Sequence, residues 1–180
     1  MDMPHSNNRP DEDAGRWIRS AVDRYEGPLL RYAVRLMGDL DRGRDVVQDT
    51  FLQLCRQQPG ELDGHLAQWL YTVTRNRALD VRRKEKRMKT MPPQKANGQL
   101  SREKSQVTQS EQNEDTARIE ELLKDLPENQ QEAVRLKFQA ELSYKEIAGV
   151  LDLSVTNVGY LIHTAIARLR KELGAGVEKG

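Results

Sequence analysis

Apolar residues recur three and four positions apart along nearly the whole chain, the period of a helix with one buried face. From Arg16 to Met37 the candidate core positions are Trp17, Tyr25, Leu29, Ala33 and Leu36, and an interruption is expected near Gly27-Pro28, where proline removes a backbone donor. From Asp41 to Gln57, Val47, Phe51, Leu54 and Cys55 form one stripe, which reads Cys55 as a packing residue. After the breaker-rich QQPGELDG, the spacing predicts a third helix from Leu66 to about Arg87, with Trp69, Leu70, Val73 and Leu79 inward. No run alternates like a strand, and the single Asn-Gly pair, Asn97-Gly98, lies in polar sequence. The expected fold class is all-α.

The pattern lapses from Thr90 to Asp115. TMPPQKANGQLSREKSQVTQSEQNED has no aromatic residue and too few apolar ones to bury a core, so it reads as a flexible linker, residues 90–115. It separates two small helical domains, residues 14–89 and 116–173.

The second domain contains LSYKEIAGVLDLSVTNVGYLIHTAIARLRKEL. Ile147, Ala148 and Leu151 make an inner face, and Val158, Leu161, Ile162, Ala165 and Leu169 continue it after a break of about three residues. Leu153 plugs the turn and Ser154 suits an N-cap. Two helices joined this tightly make a helix-turn-helix, whose second helix enters a DNA major groove by its N-terminal end. Its groove side would be Val155, Thr156, Asn157, Gly159, Tyr160 and His163. A plain αα-hairpin that only builds a bundle has the same local pattern.

Composition narrows the picture. The chain has 180 residues, 37% hydrophobic and 32% charged, with a net charge of +1, so the local distribution of charge matters more than its sum. One cysteine allows no internal disulfide and fits a reducing compartment. No apolar run approaches the roughly 20 residues of a membrane span, and the N-terminus lacks the apolar segment of a signal peptide. A soluble cytoplasmic protein is expected, with no membrane insertion.

Catalytic signatures are missing. His5, His65 and His163 share no ligand spacing with one another or with Cys55, and there is no phosphate loop, HExxH or nucleophile elbow. No catalytic residue, metal or cofactor is expected.

Two binding features stand out instead. The third helix carries Arg75, Arg77, Arg82, Arg83, Lys84, Lys86, Arg87 and Lys89 against only Asp80 and Glu85, a row suited to a phosphate backbone, with Tyr71 beside it as a stacking surface. Asn76 lies within this row, and its amide can both donate to and accept from a base edge. The loop from Gly60 to His65, including Asp63, precedes the helix and could close over an extruded base. The second feature is RDVVQDTF, in which Asp45, Gln48 and Asp49 fall at i, i+3 and i+4, a face able to dock a basic partner or simply to be solvated.

In this order and across a linker, these features resemble a bacterial sigma factor of the sigma-70 family, in its short two-domain extracytoplasmic-function (ECF) group. The resemblance covers residues 14–89 and 116–173. It implies that RDVVQDTFLQL grips the clamp of core RNA polymerase through Asp45, Gln48 and Asp49. It implies that WLYTVTRNRALDVRRKEKR melts and reads the −10 element, with Tyr71, Arg75, Asn76, Arg77, Arg82 and Arg83 joined by Asp63 and His65. It further implies that LPENQQEAVRLKFQAELSYKEIAGVLDLS and the helix after it read the −35 element through Ser154, Val155, Thr156, Asn157, Gly159, Tyr160 and His163. Core RNA polymerase, at its clamp and flap regions, and promoter DNA are the implied partners, with an anti-sigma protein as a further candidate. Two departures are visible. Asp152 stands where the family often has glycine, and the recognition helix begins Asn157-Val158-Gly159-Tyr160 rather than with basic residues; Gly159 lets the backbone come close to DNA. An ordinary helix-turn-helix regulator and an RNA-binding adaptor are the alternatives, and neither needs the acidic RDVVQD face.

Overall fold

The computed structural model describes the backbone of residues 9–90 and 114–177, with side chains from 12 to 88 and from 117 to 174. All regular structure among the described residues is helical. The helices are α1 (Arg9–Met37), α2 (Leu40–Leu54), α3 (Leu66–Thr90), α4 (Glu114–Lys124), α5 (Glu128–Phe138), α6 (Tyr144–Leu151) and α7 (Val155–Val177), with one 3₁₀ turn at Pro59–Glu61. Contacts divide them into two units, α1–α3 and α4–α7. The expected linker lies outside the described residues, except that Thr90 closes α3 and Glu114 and Asp115 open α4. No single described helix is long and apolar enough to cross a membrane.

In the N-terminal unit each helix packs on the other two. The interruption expected at Pro28 is absent: α1 runs through it. Proline in a helix interior costs about 3 kcal/mol. The turns that follow bury Leu29, Tyr32, Ala33 and Met37. Each large apolar side chain buried there contributes about 1.5–3 kcal/mol, so continuing the helix wins. Trp17 and Tyr25, expected in the core, are only half-buried. Gly38, with φ 71°, ends α1 in the left-handed region. The next residue, Asp39, caps α2 by accepting from the Arg42 amide at 2.8 Å. Two residues therefore reverse the chain, which lays α2 back on α1.

That reversal demands close approach. Gly43 is buried, and a Cβ there would lie 2.7 Å from Val34 Cγ2 and 3.1 Å from the Val34 backbone nitrogen. Cys55 does not join the core as the stripe suggested. It is exposed at the C-cap of α2, because the chain leaves the helix there and Leu54 takes the buried position.

The C-terminal unit gathers α4, α5 and α6 around α7. Leu123, Leu126, Val134 and Ala165 form one buried cluster with Leu169 against it. Arg135 on α5 bonds Glu120 on α4 at 2.9 Å, with little of either side chain exposed. A capping box opens α6, the Glu146 carboxylate accepting from the Ser143 amide at 2.8 Å while Ser143 Oγ accepts from the Glu146 amide.

Gly43→Ala is expected to destabilise the N-terminal unit. Alanine gains about 1 kcal/mol of helix propensity over glycine, but overpacking against a backbone costs about 1–3 kcal/mol. Denaturant titration should show a net loss; a gain would mean that α1 and α2 separate easily.

Candidate nucleic-acid interface

Helix α3 divides its residues by face. Leu70, Tyr71, Thr74 and Ala78 are buried, while Asn76, Arg82, Arg83 and Lys84 are exposed. Tyr71 was expected to offer a stacking surface, and the structure corrects this. Its ring is 3% exposed and meets Tyr32 edge-on, the centroids 5.2 Å apart. Burial pushes its phenol up to about 12 from 10.0, although the positive charge of Arg31 pulls the other way. Trp69, expected inside, is half-buried instead. Of the two aromatics, Tyr71 is the more deeply buried.

A stripe runs along one side. His65, just before α3, is followed by Trp69, Thr72 and Asn76 at steps of four, three and four, with Val73 beside Thr72, so they share one side of the helix. Trp69 was expected in the core; its separation of seven from Asn76 places the two on the same side of α3. The preceding loop is anchored by buried Leu62 and turns at Gly64, where φ is 76°. Asp63 and His65 remain exposed, joined by a 3.0 Å bond between His65 Nδ1 and the Asp63 carbonyl oxygen. His65 continues directly into α3, its carbonyl accepting from the Trp69 amide at 3.0 Å.

Both acids of the basic row are occupied. Asp80 takes Arg83 at 2.9 Å, and Glu85 takes Arg42 of α2. Arg75 is half-buried and Arg82 exposed. Arg77 is turned toward α2, its Nε donating to Asp49 Oδ2 at 2.6 Å. One expected DNA contact is therefore paired with one expected polymerase contact. On α2, Asp45 and Gln48 remain exposed, whereas Asp49 is partly covered. Beside Gln48, between α1 and α2, runs an open groove whose apolar lining includes Ile18, Val22, Leu30, Val47 and Phe51.

In the C-terminal unit α6 and α7 meet at 102°. Asp152 makes the corner in the left-handed region, at φ 56° and ψ 49°, a conformation aspartate tolerates better than most residues. Ser154 accepts from the Asn157 amide at 3.1 Å, as the N-cap expectation required. Ser154, Val155, Thr156, Asn157, Tyr160 and His163 are all exposed. Gly159 is half-buried beneath the Tyr144 ring. Lys137 stands 5.6 Å from the centre of that ring, and Phe138 is largely exposed nearby in the chain. The sequence reading singled out neither aromatic. No Lys or Arg occurs in α7 before Arg168, so the exposed side of its first three turns is neutral.

Comparison with known proteins agrees with this division. The sigma-70 region 2 family profile matches residues 21–88, and sigma-70 region 4 matches residues 116–169. The ECF RNA polymerase sigma factor SigL of Mycobacterium tuberculosis is 31% identical over 166 residues, 87% of this chain and 90% of that protein. The ECF RNA polymerase sigma factor SigM of Bacillus subtilis is 26% identical over 153 residues, 85% of this chain and 93% of that protein. Among solved structures, CnrH in complex with the cytosolic domain of CnrY has a TM-score of 0.60 at 24% identity, covering 92% of this chain and 95% of that one. The sigma factor RpoE in complex with the anti-sigma factor NepR, from Bartonella quintana, has a TM-score of 0.58 at 20% identity, covering 93% and 98%.

The buried Tyr71 carries a pH dependence. An acid whose folded pKa is raised stabilises the fold fully below its unfolded value, 10.0, and that contribution is lost as pH rises toward about 12. The loss should be on the order of 2 kcal/mol. Tyr71→Phe cannot ionise, so its stability should fall less between pH 10 and 12 than the parent's in denaturant titrations. Equal slopes would show that Tyr71 reaches solvent.

Proposed function

The chain belongs to the ECF group of sigma-70 RNA polymerase sigma factors, and from that premise we propose which of its surfaces meets the polymerase, which meets each promoter element, and how a base is taken from the duplex. As a sigma factor it directs core RNA polymerase to promoters. The polymerase performs the chemistry; this chain contributes recognition and is not itself an enzyme. Its place of action is the cytoplasm.

The observation that carries the proposal is the side of α3 formed by His65, Trp69 and exposed Asn76. A base can be read on its Watson–Crick edge only after leaving the stack, at a cost of a few kcal/mol. A partly exposed indole supplies a stacking face worth about 1–3 kcal/mol, which offsets much of that cost. Asn76 then bonds the freed edge, the Gly60–His65 loop with Asp63 and His65 covers it, and Arg75, Arg82 and Arg83 attract the strand's phosphates. Tyr71 acts beneath this surface as packing.

On α2, Asp45 and Gln48 supply the polymerase contact, since the Asp49 carboxylate is already bonded to Arg77. In the C-terminal unit the exposed start of α7 enters the −35 major groove, where Asn157 reads adenine bidentately, Val155 and Thr156 lie against neighbouring bases, and Ser154, Tyr160 and His163 meet the backbone. Gly159 brings the α7 backbone close to the groove. The polymerase flap is the protein partner proposed for this unit. An anti-sigma protein is a further proposed partner, as one solved relative was captured with one.

Reconstitution with core polymerase separates these assignments. Asp45→Arg should weaken core affinity about tenfold or more, each tenfold being about 1.4 kcal/mol. Asn76→Ala should keep core affinity yet lose permanganate-reactive open complex. Asn157→Ala should flatten the preference for adenine within the −35 element by about 1–3 kcal/mol in a library selection. Normal opening by Asn76→Ala would refute its role as reader, and unchanged core affinity or −35 preference would refute the other two.

A further inference from the structure

We propose that Asp49 and Arg77 form a positioning pair that sets the roll of α3 on α2 and so aims Asn76, rather than contacting polymerase or DNA themselves. The inference rests on the reading of Asn76 given above. It starts from three cross-helix contacts. Arg42 meets Glu85, Asp49 meets Arg77, and Thr50 meets Thr74. Residue numbers that rise along α2 fall along α3, so the helices are antiparallel and tied about two turns apart.

Just past the Asp49–Arg77 tie, on the side away from Arg42–Glu85, comes the third contact. Thr50 and Thr74 are both fully buried, their hydroxyl oxygens 3.1 Å apart. Thr50 gives its only hydroxyl hydrogen to the Val46 carbonyl at 2.9 Å, so Thr74 is the donor to Thr50. One turn on, α3 buries Ala78. Thr74 and Ala78 are small, and bulky knobs are what normally lock the rotation of one helix against another. At these two positions directional polar bonds take a share of that work beside the buried Val46, Leu54 and Leu70, and Asp49–Arg77 is the bond beside Asn76.

Small rotations matter at this radius. Side chains end about 5–6 Å from a helix axis, so a roll of about 15° moves the tip of Asn76 by about 1.5 Å. Misplacement of about 1 Å at a reacting or reading group can cost on the order of a hundredfold. The pair's direct effect on stability is small by contrast, because both side chains are 38% exposed and such pairs give at most about 1 kcal/mol. A pair that contributes little to stability but sits next to the base reader is suited to geometry.

The test uses the full chain with core polymerase and compares Asp49→Ala, Arg77→Ala, their double substitution, the charge exchange D49R with R77D, and Asn76→Ala. Core affinity, thermal midpoint, open complex by permanganate, and the salt dependence of promoter binding are measured together. Each single alanine should lower open complex at least tenfold, with core affinity and thermal midpoint nearly unchanged. The double substitution should be no worse than either single one, and the charge exchange should recover much of the loss. A salt slope reduced by about one charge in Arg77→Ala, without recovery in the exchange, would overturn the proposal by making Arg77 a phosphate contact. Tenfold weaker core affinity in Asp49→Ala would overturn it by making Asp49 a polymerase contact. Normal opening by both alanine variants while Asn76→Ala fails would overturn it while sparing Asn76 as reader; normal opening by Asn76→Ala would remove that reading and the pair's purpose with it.

Discussion

Close approach of α2 to its two neighbours is the constraint from which the N-terminal unit follows. On one side Gly43 lies against the Val34 backbone with no room for a Cβ, and on the other Thr50 meets Thr74 hydroxyl to hydroxyl. Three helices can enclose a core only if they draw this near, because a unit of this size has little apolar surface to spare. The Thr50 and Thr74 hydroxyls find partners in Val46 O and in each other, so their burial costs little. What remains outside is fixed by what is inside: once Thr74 and Ala78 face the seam, Asn76 must face away.

The consequence is a division of labour across a single helix pair. One outward side of α2 carries Asp45 and Gln48, and one outward side of α3 carries Trp69 and Asn76. The two sides differ in chemistry, acidic and amide on α2, aromatic and basic on α3. In α3 the acids that would oppose DNA are neutralised by Arg83 and Arg42. The C-terminal unit solves a different problem. Its α6–α7 corner needs only a left-handed Asp152 and a capping Ser154 to present an exposed, neutral helix start. With no Lys or Arg in α7 before Arg168, that surface offers no side-chain cation for counterion release.

Much of this was legible from spacing. The all-α class, the two helical blocks, the helix-turn-helix and its cap are local features, set by residues within a few positions of each other. Most of the departures depend on tertiary packing that local spacing does not show. Pro28 is carried through a continuous α1 by the burial of Leu29, Tyr32 and Ala33, which a local breaker rule does not weigh. Tyr71 and Trp69 are two residues apart, and the packing of Tyr71 on Tyr32, 39 residues away, is invisible to local spacing. Cys55 fits the apolar stripe but falls where α2 ends. Asp49 and Arg77 each looked like a free charge on its own helix, and neither helix alone shows that they meet. The roles of the exposed side chains follow from chemistry and family resemblance more than from the fold itself.

The central claim is that α2 and α3 act as one rigid bracket, with protein docked on one side and DNA opened on the other. Hydrogen exchange followed by mass spectrometry, on the free chain, on the complex with core polymerase and on an open promoter complex, tests this most directly. The account predicts that amides from Thr74 to Ala78 stay as slow as global unfolding in all three states, while exchange slows on α2 with polymerase and on the loop before α3 with DNA. Faster exchange along α3 in either complex would mean that the helix peels from α2 to work, and would contradict the bracket.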